Sequence, residues 1–182
     1  MSAEDAATPI KPHDTIGMSS FTGSGYPKAV PLALAARIEA EHKAGRPFQV
    51  RVWTGASAGP ELDGALAKVN CIEYCLPYNS DPDVRDRINC GDMEYFDMHL
   101  SQVAPMAWQG FPGPLDTAVV EVAGIRPDGT LIPSSSAGNN KTWLDRAQRV
   151  SSKSTRGRTK RWRECTASIT AQRCRRTGCR SC

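Results

Sequence analysis

Two glycines two positions apart, Gly23 and Gly25, stand between a short apolar run, Thr15-Ile16-Gly17-Met18-Ser19-Ser20, and a long stretch with helical periodicity. The run before them is bounded by polar residues, as a buried parallel strand is. After them, Pro27 sits where helices accept proline, Val30, Leu32, Leu34 and Ile38 mark an apolar face, and Gly45 stops the helix. A strand that turns through glycine into a helix is the opening unit of an α/β sheet. The same turn lets the backbone approach a ligand closely, with helix N–H groups facing the gap.

The rest of the chain repeats this alternation. Pro47 to Thr54 alternates and is rich in β formers, and it ends in the small-residue turn Gly55-Ala56-Ser57-Ala58-Gly59-Pro60. Glu61 to Val69 reads as a short helix and Ile72 to Leu76 as a strand, after which Asp81 caps a polar helix with Pro82 in its first turn. Tyr95-Phe96-Asp97 is ambiguous, and Leu100 to Gln109 is helical despite Pro105. Thr117 to Ala123 is the strongest strand signal, and Pro127-Asp128-Gly129 turns it back into Thr130 to Pro133 as a hairpin. A third small, polar loop, Ser134 to Asn140, leads to a last short helix around Trp143 and Leu144. The expected fold is α/β, an open, mostly parallel sheet with flanking helices.

Ligands of such sheets bind beyond the carboxyl ends of the strands. The loops around Gly25, Ser57 and Ser80 follow successive strands, so all three should open on one edge. Gly and Ser also serve simply as turn residues, but three such loops together favour a binding edge. Hydroxyls at Ser24, Ser57 and Ser80 suit a carboxylate or phosphate.

Several chemistries are excluded. Gly23-x-Gly25 lacks the third glycine of a dinucleotide fingerprint, because position 28 is Lys, and the second strand ends in Trp53-Thr54-Gly55 without the acid that holds a ribose. No GxxxxGK[ST] loop occurs, and His13, His42 and His99 show no metal spacing. No nucleophile stands beside a base in the pattern. Cys71 and Cys75 read as structural thiols. No run approaches the roughly 18 apolar residues of a membrane helix, and the N-terminus, with Glu4 and Asp5, does not read as a signal peptide. A cytoplasmic protein with reduced thiols is expected.

Four long motifs resemble the N-terminal half of the acetyl-CoA hydrolase/transferase family, the class I CoA-transferases that include succinate:acetate CoA-transferases. They are Phe21-Thr22-Gly23-Ser24-Gly25-Tyr26-Pro27-Lys28-Ala29-Val30-Pro31, Thr54 through Gly64, Tyr95-Phe96-Asp97-Met98-His99-Leu100-Ser101-Gln102-Val103, and Gly138-Asn139-Asn140-Lys141-Thr142-Trp143-Leu144. The resemblance implies a fold of the ribose-5-phosphate isomerase and CoA-transferase type. It also implies transfer of CoA between acetyl-CoA or succinyl-CoA and carboxylates, or hydrolysis of acetyl-CoA, in acetate metabolism. CoA thioesters are then substrates, and no separate cofactor is implied. A glutamate in a second domain attacks the thioester and carries CoA as a glutamyl thioester. No catalytic residue is therefore expected within this chain, which would need that second domain, possibly from another chain, and would be inactive alone. Gly23, Ser24, Gly25, Ser57 and Ser80 carry over as walls around the acyl or carboxylate group. Family members are often homodimers. Where the family usually has Gly, this chain has His13 and Ser20, and where it usually has Arg, this chain has Cys75.

The composition breaks near residue 150. Residues 1–150 hold 13 Lys and Arg against 18 Asp and Glu, a net of −5, whereas residues 151–182 hold 10 against 1, a net of +9. Cys165, Cys174, Cys179 and Cys182 crowd into the last 18 positions. Residues 1–150 are accordingly read as an incomplete CoA-transferase N-terminal domain and 151–182 as a disordered basic tail. As an alternative function, such a tail suits a noncatalytic nucleic-acid-binding or metal-binding protein, although the cysteine spacing fits no standard zinc pattern. A shifted reading frame explains more. Codons for the tail can be chosen so that the neighbouring frame opens with a family-like strand, ILEVN, and this register holds throughout. On that reading the strand beside Thr117 to Ala123 is missing, an open sheet edge results, and the product is aggregation-prone.

Overall fold

The computed structural model describes residues 2–18 and 21–154. Its strands are β1 (Thr15–Met18), β2 (Val50–Trp53), β3 (Ile72–Leu76), β4 (Glu94–Tyr95), β5 (Thr117–Ile125), β6 (Leu131–Pro133) and β7 (Arg149–Ser154). The helices are α1 (Ala3–Ala7), α2 (Ala29–Lys43), α3 (Ala65–Lys68), α4 (Pro82–Asn89), α5 (Leu100–Gln109) and α6 (Asn140–Arg146). The strands form one sheet in the order β4-β3-β2-β1-β5-β6, with β7 added to β5. Every pairing is parallel except β5 with β6. The α/β class and the mostly parallel sheet are as the alternating pattern requires.

Apolar residues of α2, α3 and α4 pack on one face around Leu34, Ile38, Leu66 and Val84. On the other face α5 and α6 enclose Trp53, Val103, Ala118 and Trp143. The two indoles meet at 5.7 Å between centroids. Gly17 makes this possible, since a Cβ there would lie 2.9 Å from Trp143 Cγ. Only a bare backbone lets α6 sit so close to β1.

The sequence predicts the four main helices and the hairpin to within a few residues. Three features differ. Ser2 and Asp5 cap each other's backbone N–H groups and start α1, which has no long apolar pattern to announce it. Residues 61–69 are not one regular helix, because Pro60–Gly64 is a π-helical turn that runs on into α3. Third, the expected open edge on β5 is covered. Thr117 through Val122 pair in register with Arg149 through Ser154. Any residue but proline supplies ladder hydrogen bonds, and an edge strand tolerates the polar side chains of Ser151 and Ser152. Arg149 pins the start of this strand by ion pairing with Asp14 and donating to Pro9 O at 2.7 Å.

His13 has a left-handed backbone, with φ +64°, a conformation that favours glycine. Cys71 and Cys75 are buried free thiols, and burial pushes each up to about 12. Ser20, Cys165, Cys174, Cys179, Cys182 and the rest of the basic tail beyond Ser154 lie outside the described residues.

Candidate functional site

β1 lies between β2 and β5, so the chain leaves it toward one side of the sheet and later returns on the other. Ligand crevices of open α/β sheets form at such a switch point. The loop that follows β1 carries the Gly-x-Gly turn. Phe21 and Ser24 bridge its base, and Gly25 takes φ +76°. The loop then docks on the segment after β6. Ser24 Oγ lies 3.0 Å from Ser135 Oγ, Ser136 Oγ donates to Ser24 O at 2.6 Å, and Phe21 N donates to Ser136 Oγ at 2.9 Å. A Cβ on Gly25 would lie 2.9 Å from Ser134 Oγ and 3.0 Å from Ser135 Oγ. Glycine is required there both for the backbone angle and for the close approach.

The loop after β2 is built on a carboxylate. Ala56 takes φ +67°, and Ser57 N donates to Tyr78 O at 3.0 Å, joining this loop to the one after β3. Asp63, on the π-helical turn, is 1% exposed. Its Oδ2 accepts from Ala58 N at 2.6 Å and from Ser57 Oγ at 3.4 Å. Asn79 Oδ1 accepts from Ser57 Oγ at 3.3 Å and from Asp81 N at 2.9 Å. Burial, with a further contribution from the negative Asp81, pushes the Asp63 carboxyl up to about 7 even though these donors favour its charged form. Asp81 also caps α4 through the N–H groups of Asp83 and Val84, as its position before Pro82 predicts.

The first two loops also touch. Gly59 faces Tyr26, and a Cβ there would lie 2.4 Å from the Tyr26 hydroxyl oxygen. That hydroxyl donates to Glu61, while Lys28 Nζ sits 4.0 Å above the Tyr26 ring. Burial first, and then the bond to Glu61, hold the Tyr26 hydroxyl well above its ordinary pKa. Phe21, Tyr78 and Phe96, each following a strand on this edge, are 57%, 55% and 45% exposed.

The structure thus brings Gly23, Ser24, Gly25 and Ser57 into two contacting loops. Ser80 is exposed on the third, beside Asn79 rather than directly on Ser57. Sequence reasoning passed over Asp63, Asn79, Ser135 and Ser136. The signal for Asp63 was an acid six positions past Ser57 among the buried Leu62, Leu66 and Ala67. An acid in so apolar a segment is normally partnered. The seryl run Ser134-Ser135-Ser136 was visible as a loop, but its contact with Ser24 spans more than a hundred positions of chain. Among the described residues no group of three or more His, Cys, Asp or Glu is placed to hold a metal ion, and no helix is long and apolar enough to cross a membrane.

Known proteins resemble this chain in sequence and in fold. The chain is 40% identical over 150 residues to the propanoyl-CoA:succinate CoA transferase of Escherichia coli K12, an alignment covering 82% of this chain and 30% of that protein. It is 37% identical over 150 residues to the succinyl-CoA:acetate CoA-transferase of Clostridium kluyveri, covering 82% and 27%. The chain thus spans less than a third of the length of these relatives. The crystal structure of glutaconate coenzyme A-transferase from Acidaminococcus fermentans superposes with a TM-score of 0.63 at 14% identity, covering 84% of this chain and 67% of that one; this is a likeness of fold. The family model described as the acetyl-CoA hydrolase/transferase N-terminal domain matches residues 1–154, and with the parallel sheet and the loops at its switch point in place, the chain belongs to that family.

Proposed function

We propose that this edge is one wall of an acyl-CoA and carboxylate site, used for CoA transfer between small carboxylic acids or for acetyl-CoA hydrolysis. The observation that carries the reading is the meeting of the Ser24 and Ser57 loops at the switch point. There, neutral hydroxyl and backbone donors are offered beside an exposed aromatic rim. Such donors bind a carboxylate without a fixed counter-charge, and the rim suits the apolar part of an acyl group. Gly23, Ser24, Gly25, Ser57 and Ser80 line the wall. The nucleophilic glutamate of the family comes from outside this segment, so the chain alone binds carboxylates without turning over CoA thioesters. Cytoplasmic acetate metabolism is the setting this chemistry fits.

The test is a titration of the isotopically labelled chain with acetate and succinate, together with a succinyl-CoA-to-acetate exchange assay. The expected result is amide shifts at Ser24, Ser57 and Ser80, weakened about tenfold by Ser57→Ala, as loss of one such hydrogen bond predicts, and no exchange by the chain alone. Shifts confined to other surfaces, or none, would overturn the reading.

A further inference from the structure

The Ser57 hydroxyl has one hydrogen and two acceptors in reach, Asp63 Oδ2 at 3.4 Å and Asn79 Oδ1 at 3.3 Å. It cannot donate to both and also to a ligand. Asn79 Oδ1, which also accepts from Asp81 N, is an acceptor at every pH, so the Asp63 side is the part of this network that changes with protonation. As a carboxylate, Asp63 only accepts, and it draws the Ser57 hydrogen inward so that the lone pairs of Oγ face the edge. As an acid, Asp63 becomes a donor across the same contact and the Ser57 hydrogen is released. We propose that Asp63 is a positioning residue whose proton sets the direction of the Ser57 hydroxyl, so that the loop presents a donor to an anion when Asp63 is neutral and an acceptor when it is charged.

The surroundings support this assignment. Asp63 is buried on the π-helical turn with no ion-pair partner among the described residues. From the start of α4 the acid Asp81 acts on it, and beside Asp81 the acid Asp83 holds Lys68 of α3 at 3.6 Å. From β3 it faces the neutral Cys75 thiol. From the first loop comes Tyr26, which is bonded to Glu61 of the same turn as Asp63, with Lys28 turned back over the Tyr26 ring and carbonyl. The remaining element against the turn, α2, adds Val30 and Leu34 to the shared core. The nearest cations are therefore engaged elsewhere, and an uncompensated buried carboxylate favours its protonated form. The upward push to about 7 agrees with this geometry. Anion binding at Ser57 should then weaken as pH rises through that region.

The test follows the side-chain carboxyl signal of Asp63 in the full labelled chain between pH 4 and 9, without ligand, together with the Ala58 amide and Ser57 Cβ signals. The expected result is one shared midpoint near 7 for all three. Asp63→Asn, which is permanently neutral and keeps a donor and an acceptor, should remove the step and leave Ser57 in its low-pH state at every pH. Titration of Asp63 in the ordinary carboxylate range, or a Ser57 signal that ignores it, overturns the inference, and the unsubstituted chain supplies this result even if the variant does not fold. Only the ligand arm rests on the carboxylate-site reading. There, succinate affinity should fall about tenfold per pH unit above the midpoint and be flat in Asp63→Asn. A coupled titration with no succinate binding at any pH supports the positioning role and refutes the carboxylate reading, so the two fail separately.

Discussion

The two loops that meet at the switch point are held in opposite ways. The Ser24 loop leans on Ser135 and Ser136, hydroxyl to hydroxyl and hydroxyl to carbonyl, with no ionisable partner in the contact. The Ser57 loop is tied to a buried carboxylate, Asp63, and to Asn79. The first also depends on distant chain, because Ser134–Ser136 are placed by the β5–β6 hairpin and thus by β7 behind it. The second is held by β2, β3 and the turn that immediately follows it. One wall is therefore insensitive to pH and sensitive to the sheet edge, and the other the reverse.

The sharpest way to break this comparison is to shorten the chain. Ending it after Ser154, where the sheet addition and the family match both stop, should change stability by less than about 0.5 kcal/mol. Ending it after Gln148 removes β7 and uncovers the ladder along Thr117 through Val122, a loss on the order of 5 kcal/mol. Hydrogen exchange should then show protection falling first at Ser24 and Gly25 and last at Ala58. Equal loss at both loops would mean that they are not independent.

Next in size is the pH dependence of stability. The Asp63 carboxyl has an ordinary pKa of 3.8 when free, and burial pushes it up to about 7 in the folded chain. Below about pH 4 both states hold the proton, and above about pH 7 neither does. Between these limits only the folded state holds it, so stability falls as pH rises, by about 4 kcal/mol across the window. Denaturant midpoints at pH 4.5, 6 and 8 would show the slope, and Asp63→Asn should flatten it. A midpoint that rises with pH over this range would contradict the burial argument. A smaller effect is expected from Gly25→Ala, which combines φ +76° with contacts near 3 Å to Ser134 and Ser135 and should cost about 1–3 kcal/mol. Its control is Gly23→Ala, whose Cβ would meet only Ala58 O at 3.5 Å and should cost under about 0.5 kcal/mol.

The sheet and the Ser24 turn were legible because their signals are local. Glycine spacing, Pro82 after Asp81 and the run Thr117 to Ala123 each declare a backbone state within a few residues. The partners of those loops were not legible. Ser135 meets Ser24 only because β5 and β6 return beside β1, and Asp63 faces Ser57 only because residues 60–64 wind as a π-helical turn rather than a regular helix. β7 was missed for a different reason: at a sheet edge the backbone makes the bonds, so a polar run such as Arg149–Ser154 carries little strand signal. The composition break near residue 150 is real in charge, yet the strand runs across it.

Ser136→Ala is the smallest effect and the most direct test of the difference between the walls. The hydroxyl donates to Ser24 O and accepts from Phe21 N, so its removal leaves one donor and one acceptor at the base of the loop. Both lie near solvent, since Phe21 is exposed and Ser24 half-buried, and water can replace part of what is lost, which limits the cost to about 1 kcal/mol. No ionisable group takes part, so this cost should be the same at pH 5 and pH 8. Ser57→Ala removes a hydroxyl that touches Asp63, and its cost should change across the same interval as the carboxyl gains charge and loses one of its donors. Measuring both variants at both pH values gives four differences. If the Ser136 cost moves with pH as much as the Ser57 cost does, a charged group couples the two loops, and the division between a neutral wall and an ionisable one does not hold.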